Sequence, residues 1–189
     1  MRVFASTLLV FSSTFIGLCQ QFGPGENLAP YIPTPQAVVE KMLEAGHIKP
    51  GDVVYDLGAG DGRIIITAAK EFGAKAVGVE IQKELVDKMR ERIKELGLED
   101  KVSVVHDSAL HADLSPANVV TMYFLTSSND RLRPWLEKSL KPGTRVVSNQ
   151  FPVKGWTPVA VAHLKPGTME YTIYVYEIGK TKYQAPKTK

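Results

Sequence analysis

The sequence contains one cysteine, Cys19, among its 189 residues. A single thiol excludes an intrachain disulfide, a multi-cysteine zinc site and an iron–sulfur cluster. The three histidines after the first strand, His106, His111 and His163, lack metal-ligand spacing, so no metal site is predicted. An excess of one charge is also missing, since the formal net charge is only +3. So small an excess predicts no basic face for nucleic acid.

Long apolar runs are scarce, and the longest lies at the N-terminus, in residues 3–18. It is short for a membrane span, which needs about 20 apolar residues. Arg2 before this run is typical of a secretory signal. A membrane anchor, a misassigned start codon and a mitochondrial transit peptide remain alternatives, the last because no acidic residue precedes Glu26.

Residues 1–25 are therefore set apart as a signal-like or anchor segment. The predicted location depends on that segment. The protein is expected to be exported or membrane-associated if the segment acts as a signal or anchor, and cytoplasmic otherwise, with a mitochondrial location left open. The segment is also the only predicted contact with a membrane, and then only if it is not cleaved.

Residues 26–180 are predicted to form one α/β domain, because strand and helix patterns alternate along them. Helical patterns cover 36–45, 63–72, 82–96 and a stretch after Ser127, and strand patterns cover 52–57, 75–80, 101–106, 117–125 and 144–151. Two alternating apolar–polar segments then flank a Lys-Pro-Gly turn at 165–167, as in a hairpin. The predicted fold is Rossmann-like: a doubly wound, mainly parallel, seven-stranded sheet with a C-terminal antiparallel hairpin. Residues 181–189 are predicted to be a basic tail.

Three local predictions concern the helices. Thr34 and Pro35 are expected to be the N-cap and first position of the first helix. Ser127 and Asp130 resemble a capping box, and Pro134 favours a late start of that helix. The helix over 82–96 is expected to face inward with Leu85, Met89, Ile93 and Leu96.

The glycine-rich segment YDLGAGDGR, residues 55–63, follows the first predicted strand. Ligands of doubly wound sheets bind at this crossover, where glycines let the backbone approach them closely. A dinucleotide loop needs glycine at position 63, where this chain has Arg63, and no Gly-Lys-Ser/Thr of a phosphate loop follows. Asp56 and Asp61 also repel phosphate. The loop therefore favours a neutral or cationic ligand.

Acidic residues end three successive strands: Asp56, Glu80 and Asp107. A carboxylate at Glu80 can accept both hydroxyls of a ribose. Asp107 lies where it can reach an adenine edge, and the small Ser108 and Ala109 leave room beside it. One such acid alone would indicate a solvated loop or a helix cap. Three together with the glycine loop predict a nucleoside ligand.

These motifs resemble the cofactor motifs of class I S-adenosylmethionine-dependent methyltransferases. Five segments more narrowly resemble the compact archaeal and bacterial protein-lysine methyltransferases and their mitochondrial relatives. They are YIPTP (31–35), GDGRIIITAAK (60–70), VVTMYFLTSSN (119–129), LKPGTRVVSNQF (140–151) and GW (155–156). The resemblance spans about residues 31–178 and implies methyl transfer to the side-chain amine of a protein lysine.

The resemblance also implies roles for individual residues. The implied S-adenosylmethionine-binding residues are Asp56, Gly58, Ala59, Gly60, Gly62, Glu80, Asp107 and Ser108. Among them, Asp56 binds near the ammonium, Glu80 the ribose, and Asp107 with Ser108 the adenine. The implied catalytic residues are Tyr31, Thr34 and Phe124. Tyr31 and Thr34, with Pro33, close over the methyl and the incoming amine, and Phe124, within 123–126, forms the opposite wall.

One departure from the family pattern concerns Asn149, which stands where a histidine is expected in the V-V-S-x-x-F motif. Its role, and with it the choice of substrate, is left open.

Methyl transfer from a sulfonium is an in-line displacement that needs alignment and no covalent enzyme intermediate. The target amine must first lose a proton. A partly apolar pocket favours this loss because it disfavours the charged ammonium, and water can accept the proton. Tyr31 is predicted to orient the amine, with a packing role as the alternative. A small-molecule methyltransferase and a non-catalytic cofactor-binding regulator are the competing functions. The lack of an inserted lid favours a protein side chain as substrate.

Overall fold

The computed structural model describes residues 25–180 of the chain. The predicted basic tail and residues 1–24 of the signal-like segment lie outside the described residues. Within the described range, no helix is both long enough and apolar enough to cross a bilayer.

Residues 25–180 form four helices and seven strands in the predicted alternation. In chain order they are α1 (Gln36–Ala45), β1 (Val53–Leu57), α2 (Arg63–Glu71), β2 (Lys75–Glu80), α3 (Lys83–Glu95), β3 (Val102–His106), β4 (Val119–Met122), α4 (Thr126–Ser139), β5 (Arg145–Asn149), β6 (Ala160–Leu164) and β7 (Tyr171–Glu177).

The seven strands form one sheet in the order β3-β2-β1-β4-β5-β7-β6. β1 to β5 pair in parallel, whereas β7 lies between β5 and β6 and is antiparallel to both. The predicted mainly parallel sheet with an antiparallel hairpin is confirmed. Its strand order reverses between β1 and β4, and ligands of open α/β sheets bind at such a switch point.

Apolar side chains cover both faces of the sheet. α1, α2 and α3 bury one face with side chains such as Met42, Ile65 and Met89. α4 buries the other face with Leu132 and Leu136, beside the apolar segment 109–117. This three-layer packing satisfies both faces of a parallel sheet and leaves its carboxyl edge for a ligand.

The Gly-Trp motif anchors the β5–β6 connection to the second face. Trp156 packs edge-on against Tyr176 with ring centroids 5.4 Å apart, and its Nε1 donates to Glu137 Oε1 at 2.8 Å. The Tyr176 hydroxyl in turn accepts a hydrogen bond from the Val153 amide at 3.0 Å. The motif therefore has a packing role in this fold.

The prediction that Thr34 caps α1 is wrong. Pro35 is the N-cap residue and α1 begins at Gln36, so Thr34 lies one position too early to cap. Pro35 has an extended ψ of 145°, and its carbonyl accepts the first helical bonds from Val38 and Val39.

The predicted capping box of α4 is also wrong. The helix begins at Thr126, so Ser127 lies inside it, and Pro134 is accommodated within the helix rather than delaying its start. The next two residues, Ser128 and Asn129, donate hydrogen bonds to distant backbone carbonyls. These tertiary contacts attach the first turn of the helix to the strap and to the turn after β5.

The predicted buried face of α3 is partly wrong. Val86, Met89 and Ile93 are its buried residues, whereas Leu85 is only half-buried. Leu96 is 41% exposed because α3 ends at Glu95 and the chain turns outward there.

Candidate functional site

A cavity of about 250 Å³ opens at the carboxyl ends of β1, β2 and β4. Its walls are the glycine loop after β1, the ends of β2 and β4, and residues 28–34, which we call the strap. The predicted site residues on its lining are Tyr31, Thr34, Asp56, Gly58, Ala59, Gly60, Glu80, Asp107 and Phe124. The fold thus brings most of the predicted site together.

Two predicted site residues, Gly62 and Ser108, are not part of the cavity lining. Gly62 is the N-cap of α2 with a φ of +79°, and a Cβ there would lie 2.6 Å from Met89 Cγ. Ser108 is fully buried, and its Oγ accepts the Leu110 amide at 3.3 Å. Both residues therefore shape the loops behind the cavity.

Asp56 is 3% exposed and lies at the base of the cavity. Thr121 Oγ1 on the neighbouring β4 donates to its Oδ1 at 2.7 Å. Burial, with a smaller contribution from the charges of Glu80 and Asp61, raises the pKa of Asp56 to about 7 despite the lowering effect of that hydrogen bond. A cationic ligand group beside it would restore the carboxylate.

Glu80 holds the glycine loop against the end of β2. It is 4% exposed, and its two carboxylate oxygens accept the amides of Gly60 and Gln82, both at 2.9 Å. Asp107, which directly follows the adjacent β3, accepts a hydrogen bond from the backbone amide of Ser108 at 2.7 Å. Both acids also line the cavity, so each combines a structural contact with an exposed edge towards a ligand.

Two aromatic rings pack on the glycines of the loop. The ring of Phe124 lies where a Cβ on Gly58 would approach it to 3.0 Å. The ring of Tyr31 lies still closer, at 2.5 Å from such an atom on Gly60. Both close approaches require glycine, and both glycines have positive φ angles, +73° and +58°. The strap and the end of β4 therefore converge on the loop.

Arg63 and Asp61 complete the loop and were not predicted as site residues. Burial by itself raises the pKa of Asp61, but hydrogen bonds from Arg63 outweigh it and hold that pKa below its ordinary value. The pKa of Tyr31 is raised by burial and then by the charge of Asp61. In the sequence, Arg63 is notable because it replaces the last glycine of a dinucleotide-binding motif, which does not indicate these contacts.

The turn after β5 supplies a further wall that sequence reasoning missed. Phe151 lines the cavity and stacks on Tyr123 with ring centroids 6.2 Å apart. Gln150 before it has a φ of +65°, and Asn129 Nδ2 on α4 holds the Phe151 carbonyl at 3.1 Å. Asn149 is fully buried outside the lining, and neither polar atom of its side chain has a hydrogen-bond partner among the described residues.

The residues present fit S-adenosylmethionine. The lining holds five acids, Glu26, Asp56, Asp61, Glu80 and Asp107, against one base, Arg63, which is paired with Asp61. This charge balance suits a ligand that carries sulfonium and ammonium cations and no phosphate. Within residues 25–180, no group of three metal-ligating side chains converges.

Comparison with known proteins gives one family and close relatives. The family model of the ANTKMT methyltransferase domain matches residues 56–160. A protein-lysine N-methyltransferase of Saccharolobus islandicus (strain REY15A) is 50% identical over 81% of this chain and 96% of its own length. The adenine nucleotide translocase lysine N-methyltransferase of Mus musculus is 34% identical over 70% of this chain, which spans 57% of that protein.

A solved structure of similar length has the same fold. It is described as an RNA methyltransferase from Salinibacter ruber in complex with S-adenosyl-L-homocysteine. That chain is 43% identical, with a TM-score of 0.74, and the match covers 83% of this chain and 98% of the other.

Proposed function

The chain belongs to the ANTKMT methyltransferase family, and on that premise we propose that it methylates the side-chain amine of lysine in a protein substrate. S-adenosylmethionine is the methyl donor of this class of enzyme. The observation that carries the proposal is the meeting of strap and glycine loop in one cavity, where Tyr31 and Thr34 face the predicted cofactor residues. The 50% identical protein-lysine methyltransferase supports the choice of lysine.

The bound cofactor supplies an electrophilic methyl on a sulfonium, and the protein supplies its alignment. We assign Asp56 to the ammonium of the cofactor, Glu80 to its ribose hydroxyls and Asp107 to its adenine. The Gly58–Gly60 backbone, which lines the cavity, would hold its methionine portion. Asp56 and Glu80 are buried and Asp107 is half-buried, and all three are held in place by Thr121 or by backbone amides, so little ordering remains when the ligand arrives.

The amine enters between the strap and the end of β4. Phe124, Leu125 and Phe151 make this side of the cavity apolar, which disfavours the ammonium form of lysine and favours the neutral nucleophile. The Tyr31 oxygen can accept a hydrogen bond from that amine and set its direction of attack. The proton leaves through water before the displacement, so no dedicated base is required.

RNA is the competing substrate, because the related Salinibacter ruber structure is described as an RNA methyltransferase. The cavity argues for protein. Among the described residues, its one basic lining residue, Arg63, is ion-paired with Asp61 at 2.6 Å, and the other charged residues on the lining are acids. An acidic mouth attracts a lysine-bearing segment and repels a phosphate backbone.

The test is radiolabelled methyl transfer in parallel reactions on cell protein and on total RNA. We expect label in protein, recovered as methyllysine after acid hydrolysis, and none above background in RNA. Glu80→Ala should abolish the label by weakening cofactor binding. Lys83→Ala, which removes only an exposed ion pair with Asp87, should leave it unchanged. Label in RNA or in a small product, with none in protein, would contradict the proposal.

The location of the protein is proposed separately, from residues 1–25 alone. We propose that this segment directs export or membrane association, on the strength of its basic start and apolar middle. N-terminal sequencing of the natural protein decides the matter. A first residue near position 25 supports a cleaved signal, whereas an intact Met1 contradicts cleavage.

A further inference from the structure

Arg63, the residue that occupies the third glycine position of a dinucleotide motif, lies between the glycine loop and the strap. Its Nε donates to Asp61 Oδ1 at 2.9 Å and its Nη2 to Asp61 Oδ2 at 2.6 Å. The remaining nitrogen, Nη1, donates to the backbone carbonyl of Thr34 at 2.6 Å. One guanidinium therefore joins the two walls of the cavity.

The strap depends on side chains for its attachment. Across residues 25–180, no backbone–backbone hydrogen bond joins residues 28–34 to another segment. At the far end of the strap, the buried hydroxyl of Ser128 donates to the Leu28 carbonyl at 2.6 Å. Residues 30–33 between the two anchors are exposed. The hydrogen bonds to the strap backbone thus lie at its two ends, the Tyr31 ring packs on Gly60 between them, and Arg63 is the anchor next to the glycine loop.

The chemistry of this anchor requires the arginine fork. A guanidinium donates to both oxygens of a carboxylate and still has a nitrogen directed at a third acceptor, which a lysine ammonium cannot reproduce in the same plane. Arg92 on α3 is a second cation beside Asp61, at 3.9 Å, yet among the described residues it makes no hydrogen bond or ion pair with the strap. Charge beside Asp61 and attachment of the strap are therefore separable.

We propose that Arg63 is a positioning residue for methyl transfer, which fixes the strap to the glycine loop and so holds Tyr31 and Thr34 at the cavity. The inference rests on the proposed function, because that function places the amine beside Tyr31. Arg63 acts through the strap and is not assigned to the cofactor. Asp61 takes part by fixing the direction of the guanidinium.

The first test measures the strap without using catalysis. Chymotrypsin cleaves after tyrosine, and the Tyr31–Ile32 bond lies at the middle of the strap. Cleavage of that bond, followed by mass spectrometry on the full chain, reports how often the strap leaves its anchors. We expect Arg63→Ala and Arg63→Lys to speed cleavage at this bond at least about fivefold, as expected for loss of a charged hydrogen bond. Arg92→Ala is the matched control and should behave as the parent protein.

The second test separates binding from turnover in the same variants. We expect Arg63→Ala to bind S-adenosylmethionine within about threefold of the parent protein by calorimetry. Its rate of lysine methylation at saturating cofactor should fall at least about tenfold, because the amine site is no longer held. Arg63→Lys should retain cofactor binding and recover little of the rate.

Two results would overturn the inference: cleavage at Tyr31–Ile32 that is unchanged in Arg63→Ala, or an equal acceleration in Arg92→Ala. If Arg63→Ala fails to fold, Arg63→Lys decides, since it keeps the charge beside Asp61. Failure of the proposed function has a different signature. In that case the parent protein labels no lysine, while the cleavage rates still report whether Arg63 holds the strap.

Discussion

Asp56 is a residue whose burial opposes stability and prepares binding. Its pKa of about 7 lies above the ordinary value of 3.8, so the folded state holds a proton more tightly than the unfolded state. The stability gained from protonation is therefore complete below about pH 4 and is lost as the pH rises towards 7. At pH 8 the buried carboxylate is a net cost to the fold.

Replacing Asp56 with asparagine should therefore stabilise the protein and weaken the binding of its ligand. We expect Asp56→Asn to raise Tm at pH 8 by at least about 2 °C, with the difference disappearing towards pH 4. Affinity for S-adenosylmethionine should fall because the negative partner of its ammonium is gone. Scanning calorimetry against pH and titration calorimetry measure the two effects. Asp87→Asn, at an exposed carboxylate, is the control and should not raise Tm.

The ring and the hydroxyl of Tyr31 have separate roles that one substitution can distinguish. Its ring packs on Gly60, whereas the pKa of its hydroxyl is raised by burial and then by the charge of Asp61. Tyr31→Phe keeps the ring, so S-adenosylmethionine should bind as in the parent protein. The rate of lysine methylation should fall about tenfold, or about 1.4 kcal/mol in the barrier, if the hydroxyl orients the amine. An unchanged rate in single-turnover assays would reduce Tyr31 to a packing residue.

At the level of residues, the sequence predicts those site residues that lie at or beside the end of a strand. Asp56, Glu80 and Asp107 each lie within one residue of a strand end, and parallel strands bring their carboxyl ends to one edge, so their convergence on one cavity could be predicted. Arg63 could not be predicted in the same way. Its partner in the strap is the Thr34 carbonyl, and a backbone atom leaves no trace in residue identity.

Among the structural elements, the turn from the glycine loop into α2 requires glycine at position 62 both for its backbone angle and for its packing. Gly62 and Gly97 both have positive φ angles, +79° and +63°, so alanine carries a similar backbone cost at either position. They differ in surroundings. A Cβ at Gly62 would meet Met89 of α3 at 2.6 Å, whereas one at Gly97 would meet nothing within 4 Å.

The pair therefore measures how tightly α2 and α3 pack behind the cavity. We expect Gly62→Ala to lower the free energy of unfolding by about 1–3 kcal/mol more than Gly97→Ala, the usual cost of overpacking. Urea unfolding of both variants gives the difference directly. Equal losses would mean that Met89 moves aside freely and that only the backbone angle requires glycine at position 62.

The boundaries of β1 and β2 are predicted well from local sequence patterns, whereas the start of α4 is not. The limits of β1 and β2 lie within a residue or so of their hydrophobic patterns, because buried parallel strands are near-continuous apolar runs. The start of α4 could not be predicted. The helix begins at Thr126 with no side-chain cap, and Ser128 bonds the Leu28 carbonyl 100 residues away, a tertiary contact that the local Ser127 motif does not indicate.

For the whole molecule, the acid-rich cavity predicts selective stabilisation by ligand. A ligand that binds only the folded state at 100 times its Kd adds about 2.7 kcal/mol, which corresponds to a rise of about 5–10 °C in Tm. We expect S-adenosylmethionine and S-adenosylhomocysteine to produce such a rise and NAD to produce none, because its pyrophosphate meets Asp56 and Asp61. A comparable shift with NAD in the same thermal scans would contradict this assignment of the loop.

The position of β7 between β5 and β6 has a consequence for the order of events on the ribosome. β6 emerges before β7, yet its pairing partner in the sheet is β7, so it must wait unpaired until residue 177 has been made. The Leu28 end of the strap waits in the same way for Ser128. Without β7, β6 would have no strand to pair with among the described strands, and the sheet would end at β5. Pairing of β5 and β6 with β7 therefore comes only after all seven strands have been synthesised.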